Sequence, residues 1–150
     1  MIHEPFLKQL EFHVRSANSG LWVISHETEE VLRTTLQLKL PCQGEEDLPI
    51  IVLNWDASDG GRDLSVSPPK QVLPSDPIKA LNTFRIRAQE KKENEVQILV
   101  LQNFHLALEH PVVKQTFINA VQEGKANGLI YLVVSPKTEM PLELQHLITQ

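Results

Sequence analysis

Four short apolar runs, separated by segments with helical periodicity, constrain the fold of this chain more than any other feature. The runs are LWVIS at 21–25, PIIVLNW at 49–55, VQILVL at 96–101 and LIYLVVS at 129–135. They are continuous rather than alternating, which is typical of parallel strands with both faces covered. Strands that alternate with helices predict an α/β three-layer sandwich with a mostly parallel sheet, either Rossmann-like or P-loop-NTPase-like.

The segments around these runs contain signals for five helices. The clearest start is SDP at 75–77, because Asp76 suits the capping position and Pro77 suits the first helical position. Pro111 opens a further helix, and ANG at 126–128 ends it. A short final helix is expected over 141–148. The apolar stripes predict these buried positions in the first four helices: Phe6, Leu7, Leu10 and Val14; Val31, Leu32, Leu36 and Leu40; Ile78, Leu81, Phe84 and Ala88; Val113, Phe117, Ala120 and Val121.

Residues 56–75 are predicted to be a long connection. They contain two glycines, three prolines and few apolar residues. We expect at most one small edge strand in this segment, near Leu64 and Val66.

Size and charge limit the class of protein. A length of 150 residues suits one core, so we expect residues 1–150 to form a single α/β domain. The net charge of −5 argues against nucleic acid as a partner, since phosphate-binding surfaces need clustered Lys and Arg. The single Cys42, the charged N-terminal segment and the lack of any apolar stretch of about 20 residues predict a cytoplasmic protein without membrane contact.

The turn after the first strand lacks the features of a phosphate-binding loop. It reads ISHETEEVL and has neither Gly nor Lys. Glu27, Glu29 and Glu30 fall in the first turn of the following helix, where they complement the helix dipole but repel phosphate. No Walker A motif is therefore predicted, and Ser25 also lacks the glycines of a nucleophile elbow.

The third apolar run ends on two amides. A magnesium site of the ATPase type needs a carboxylate at this strand end, because Mg²⁺ prefers anionic oxygen. Gln102 and Asn103 offer only neutral amide oxygens. We interpret them as structural amides that maintain the geometry between strand and loop.

Other chemistry-bearing residues at the predicted carboxyl edge form no strong motif. Asp56 and Asp59 lie in WDASDGG, where turn formation is the simpler interpretation, and His105 follows an apolar Phe. We therefore predict no catalytic, cofactor-binding or metal-binding residues. Six candidate edge positions are kept open: Ser25, Asp56, Asp59, Asn103, His105 and Ser135.

Four stretches together resemble the N-terminal module of a family of bacterial and chloroplast AAA+ ATPases. They are LWVISHETEEVL, DPIKALNTF, ILVLQNFHLALEHPVVKQTFINAV and LIYLVVSPKTEMPLELQHLI. By this resemblance Asn103, Phe104 and His105 stand at the family's Asp-Phe-His, so the sequence departs from the pattern at the acid. Pro136 follows Ser135 as in the family's Ser-Pro.

The resemblance implies a degenerate P-loop-like fold and a non-catalytic interaction or regulatory role. Residues 1–150 would be the N-terminal part of a longer AAA+ ATPase, with ATP and Mg²⁺ bound by a downstream domain and no cofactor in this chain. The expected partner is a protein, or a second copy of the chain, contacted through the sheet edge or loop 56–75. Two alternatives remain: a stand-alone nucleotide-binding or hydrolase-like enzyme that uses Asp56, Asp59 and His105, and a stand-alone protein-binding module.

Overall fold

The fold alternates helices and strands in the predicted order. A computed structural model of the chain describes residues 3–15, 19–38, 50–65, 68–90 and 95–136. The helices and strands are α1 (His3–Arg15), β1 (Gly20–Ile24), α2 (Thr28–Leu36), β2 (Ile50–Asp56), β3 (Gly60–Asp63), β4 (Lys70–Leu73), α3 (Pro77–Ala88), β5 (Val96–Gln102), α4 (Pro111–Asn127) and β6 (Leu129–Ser135), with a 3₁₀ turn at Ala107–Glu109.

One six-stranded sheet forms the middle layer, in the order β1-β6-β5-β2-β3-β4. The first four strands of that order are parallel, and β3 and β4 continue the sheet antiparallel. All seven residues of β6 are buried, as are the five central residues of β5. Burial on both faces explains why these strands are apolar without alternation, and the predicted mostly parallel sheet is confirmed.

Helices cover both faces of the sheet. On one face, α3 and α4 pack against β5 and β6 through Leu81, Phe84 and Phe117, all completely buried. On the other face, α1 and α2 cover the sheet with Leu10, Val14 and Val31. The fold is therefore the three-layer α/β sandwich expected from the sequence.

The helix boundaries on the first of these faces follow local signals. The Oδ1 atom of Asp76 accepts a hydrogen bond from the Lys79 backbone N–H at 3.0 Å, and Pro77 is the first residue of α3. Helix α4 begins at Pro111 and ends before Gly128, whose φ of 68° is left-handed. Both sets of predicted caps are confirmed, because each requires only a few neighbouring residues.

The predicted stripe of α2 is partly wrong. Leu36 is 50% exposed and Leu32 is half-buried, whereas Val31, Thr34 and Thr35 face the sheet. Leucines four residues apart advance about 40° further around a helix at each step, so they do not stay on one narrow face. Leu40 and the predicted helix at 141–148 lie outside the described residues.

The prediction of a long connection over 56–75 is also wrong in its main part. Strand β3 pairs antiparallel with β2, and β4 pairs with β3. A Cβ atom on Gly61 would lie 2.6 Å from the Leu73 Cβ, so glycine permits this close pairing. Leu64 lies beside β2, since its N–H donates to the Val52 carbonyl at 2.9 Å, and Val66 lies outside the described residues. Short polar strands at a sheet margin bury little apolar surface, and their sequence therefore gives a weak strand signal.

Candidate functional site

The strand order defines where a ligand site would lie in this sheet. From the carboxyl end of β1 the chain leads to α2 on one face, and from β5 it leads to α4 on the opposite face. Strand β6 lies between β1 and β5. In open α/β sheets, ligands bind at the carboxyl edge where neighbouring connections diverge to opposite faces. The relevant position is therefore the carboxyl end of β1, β6 and β5.

Backbone hydrogen bonds link the residues that follow β1 and β5 to the end of β6. The Ser25 N–H donates to the Ser135 carbonyl at 2.9 Å, and the Asn103 N–H donates to the Val134 carbonyl at 2.9 Å. Ser135 is completely buried. Three of the six candidate residues, Ser25, Asn103 and Ser135, are thus brought to one edge, as predicted from the ends of their strands. The Ser25 and Asn103 N–H groups and the Ser135 carbonyl are therefore already used in hydrogen bonds at this edge.

The turn between β1 and α2 is occupied by its own side chains. The Ser25 Oγ accepts a hydrogen bond from the Glu27 N–H at 2.9 Å. Glu27 is the N-cap residue, rather than part of the first turn, while Glu29 and Glu30 fall in that turn. A phosphate at a helix N-terminus needs free N–H groups and a positive environment. Here the serine oxygen takes one such N–H, and carboxylates supply negative charge beside the others.

The two amides at the end of β5 have structural roles: Gln102 links two strands, and Asn103 adopts a left-handed backbone conformation. Gln102 Nε2 donates to Asn54 Oδ1 at 2.8 Å, which joins β5 to β2. The two side chains are diagonal neighbours on the same face, because Asn54 pairs with Val100 in the register. Asn103 has a φ of 53°, a left-handed conformation that Asn tolerates better than most residues. The structural interpretation of Gln102 agrees with this geometry, whereas the participation of Asn54 was not predicted, although its position at a strand end was a usable signal.

Asp56 and Asp59 organise the turn that leads from β2 to β3. Asp56 Oδ1 accepts hydrogen bonds from the backbone N–H groups of Ser58 at 2.9 Å and Asp59 at 2.7 Å. The Asp59 carboxylate lies 3.7 Å from Arg62, and both side chains are about half exposed. This is the turn-forming arrangement that the WDASDGG stretch indicates. The Oδ1 atom of Asp56 therefore stabilises the turn itself.

Phe104 anchors the loop after β5, and sequence reasoning gave it no role beyond the family motif. Its ring is completely buried and lies 5.5 Å from the rings of both Trp55 and Phe117. The Trp55 Nε1 in turn donates to the Pro74 carbonyl at 3.0 Å. His105 is half-buried next to this cluster. The apolar residue after two amides was the available signal for such an anchor.

Within the described ranges, no group of three or more His, Cys, Asp or Glu side chains is placed to hold a metal ion. Among the helices that the structure describes, none combines the length and apolar character needed to cross a membrane.

Comparison with known proteins supplies the family. The model of the SpoVK-like AAA ATPase N-terminal domain matches residues 6–150. No curated protein and no solved structure matches the chain significantly. The family match covers nearly the whole chain, and it agrees with the α/β sheet and with the resemblance in the four sequence stretches. The chain therefore belongs to the family of SpoVK-like AAA ATPase N-terminal domains.

Proposed function

We propose that this domain is a non-catalytic interaction or regulatory domain, and that the parent ATPase binds and hydrolyses ATP with Mg²⁺ elsewhere in its chain. The turn between β1 and α2 carries this proposal. The Ser25 hydroxyl oxygen accepts a hydrogen bond from the Glu27 N–H, and Glu29 adds a carboxylate at the same helix start. A phosphate would have to displace the hydroxyl and approach those acids, which is electrostatically unfavourable.

The end of β5 supports the same proposal independently. The Gln102 and Asn54 side chains are neutral amides joined by a hydrogen bond, and neither offers an anionic oxygen for Mg²⁺. Asp56, at the end of β2, already accepts two backbone hydrogen bonds. Both the phosphate-binding and the metal-binding halves of a nucleotide site are thus replaced by internal contacts.

Exposed apolar residues near this edge support a role in protein contact. Ile24 at the end of β1 is 44% exposed, Leu106 after β5 is 60% exposed, and Val112 in the first turn of α4 is 54% exposed. Exposed Glu27 and Glu29 lie on the neighbouring turn. Apolar surface rimmed by charge is typical of protein contact sites. A partner surface with apolar and basic side chains would complement it.

Nucleotide titration tests the non-catalytic part of the proposal. We expect neither saturable heat in calorimetry nor a rise in the unfolding temperature when ATP and Mg²⁺ are added to the 150-residue chain. A ligand that binds only the native state at 100 times its Kd would stabilise it by about 2.7 kcal/mol. Saturable stabilisation by ATP would refute the proposal, and stronger stabilisation of Ser25→Ala than of wild type would locate the binding at this turn, because the variant leaves the Glu27 N–H free.

Surface variants of the parent ATPase test the interaction part. Leu106→Glu combined with Val112→Glu should alter the ATPase rate or partner binding of the parent protein, because buried carboxylates are unfavourable in an interface. The matched control is Ile86→Glu, since Ile86 is 64% exposed but lies near the end of α3, away from the carboxyl edge. The Ile86→Glu control should behave like wild type. If the double variant also behaves like wild type, the carboxyl edge is not the contact surface.

A further inference from the structure

The junction between α4 and β6 contains the only Asn-Gly pair in the sequence, Asn127 and Gly128. An Asn followed by Gly is especially prone to spontaneous deamidation, because glycine has no Cβ atom to hinder attack of its backbone nitrogen on the preceding side chain. Asn127 is the last residue of α4, and its side chain is exposed. The junction therefore combines a reactive pair with access to solvent.

Two local hydrogen bonds restrain the groups that would react. The Asn127 Nδ2 donates to the Glu123 carbonyl at 3.1 Å. The Gly128 N–H donates to the Gly124 carbonyl. The Gly128 nitrogen must lose this proton before it can attack, so its hydrogen bond opposes the reaction while the last turn of α4 is formed.

The last turn of α4 can open without disrupting the sheet. Helix ends open at a smaller free energy than buried strands do. The hydrogen bonds lost are those to the Glu123 and Gly124 carbonyls. The Gly128 carbonyl accepts separately from the Gln97 N–H at 3.1 Å, which links the start of β6 to β5. Local opening therefore frees Asn127 for reaction while the two strands stay paired.

We propose that Asn127 is a deamidation site, that opening of the last α4 turn admits the reaction, and that the product destabilises this turn. Hydroxide removes the Gly128 amide proton, and the nitrogen attacks the Asn127 Cγ. A C–N bond forms to give a cyclic succinimide, the Cγ–Nδ2 bond breaks, and ammonia leaves. Water then opens the ring at either carbonyl and gives Asp or isoaspartate. Isoaspartate also lengthens the backbone between α4 and β6.

Either product weakens the turn that protected Asn127. A carboxylate cannot donate a hydrogen bond to the Glu123 carbonyl. The new charge also lies at the negative end of the α4 dipole, one turn after the Glu123 carboxylate. The variant Asn127→Asp should therefore unfold at a lower temperature than wild type.

Peptide mass spectrometry of the 150-residue chain, after incubation at mildly alkaline pH, tests the site. We expect Asp and isoaspartate at position 127 in the folded chain. They should form about tenfold more slowly than in urea, or slower still, since a tenfold difference corresponds to about 1.4 kcal/mol of opening free energy. The matched control is Asn119, an exposed Asn of the same helix that is followed by Ala120 and should stay unmodified.

The variant Thr35→Val separates local opening from global unfolding. Thr35 lies in α2 on the opposite face of the sheet, and loss of its hydroxyl should raise the unfolded fraction about fivefold. The rate at Asn127 should not change. The proposal is overturned if Asn127 reacts only in urea, if it reacts equally fast folded and unfolded, or if Thr35→Val accelerates the reaction in proportion to the unfolded fraction. Equally fast reaction of Asn119, or a wild-type unfolding temperature for Asn127→Asp, would also overturn it.

Discussion

Replacing Tyr131 by Phe should stabilise the domain, and increasingly so at alkaline pH. Tyr131 lies in the middle of β6, completely buried, with its ring packed edge-on against Phe84 at 5.5 Å and Phe117 at 5.9 Å. Its hydroxyl oxygen is buried without a hydrogen-bond partner. The phenyl ring of the variant would keep these aromatic contacts and remove only the unsatisfied hydroxyl.

The expected gain near neutral pH follows from the burial of that hydroxyl. A buried polar group without a partner costs about 1–3 kcal/mol. Phe fills nearly the same volume, so the cavity left behind is small. We therefore expect Tyr131→Phe to raise the free energy of unfolding by about 1 kcal/mol at pH 7.

The stability difference between the Tyr131→Phe variant and wild type should increase above pH 10. Burial raises the pKa of Tyr131 well above its ordinary value of about 10, while Arg85 lowers this pKa and Glu123 raises it to lesser extents. Above pH 10 the unfolded chain loses the phenolic proton and the native state keeps it, so stability falls as the pH rises. The wild type should therefore lose about 1.4 kcal/mol more than the variant by about pH 11, giving a total difference of about 2.4 kcal/mol.

Urea unfolding followed by tryptophan fluorescence measures both differences, since Trp22 and Trp55 are each 2% exposed. Tyr131 is the only tyrosine in the chain, so the near-ultraviolet absorbance of tyrosinate gives an independent control of its pKa in the native protein. The reasoning is refuted if the variant is less stable at pH 7, because the hydroxyl would then have a favourable partner. Native tyrosinate formation near pH 10 would equally refute the alkaline part.

Three further predictions concern buried hydroxyls and the carboxyl edge. Thr34→Val should raise the free energy of unfolding by about 1 kcal/mol, and Thr35→Val should lower it by about the same amount. Both threonines are 1% exposed, but only the Thr35 hydroxyl has an acceptor, the Val31 carbonyl at 2.7 Å. Equal effects in urea unfolding would contradict this explanation. Asn103→Ala should destabilise the domain by about 1 kcal/mol and Asn103→Gly by much less, since the φ of 53° disfavours a Cβ atom. If thermal unfolding finds the Gly variant less stable than the Ala variant, backbone strain is not the reason. A double-mutant cycle of Asn54→Ala and Gln102→Ala should give a coupling energy of about 0.5–1.5 kcal/mol, and additive effects would show that their hydrogen bond contributes nothing to stability.

Local chemistry made several elements predictable from the sequence. The Asp76-Pro77 start of α3 and the glycine that ends α4 depend on a few adjacent residues. The apolar runs of β5 and β6 indicated strands covered on both faces. In each case the same short stretch that contains the signal also makes the contact.

Elements stabilised mainly by distant partners were predicted less well. Strand β4, with the sequence KQVL, is defined by its pairing with β3 and has no alternating pattern of its own. The exposed Leu36 of α2 shows the same limitation, because the face that a helix buries depends on how it crosses the sheet.

The candidate site at the carboxyl edge was likewise predictable only in part. The sequence by itself determined the chemical content of the carboxyl edge: a first turn rich in Glu without Gly or Lys, and a third run ending on amides. Only the tertiary structure decided how these groups are used, with Ser25 capping its own turn and Gln102 paired with Asn54, 48 residues away. Residue types follow from the chain alone. The partner of each polar group depends on strand order and register, because these determine which distant side chains become neighbours.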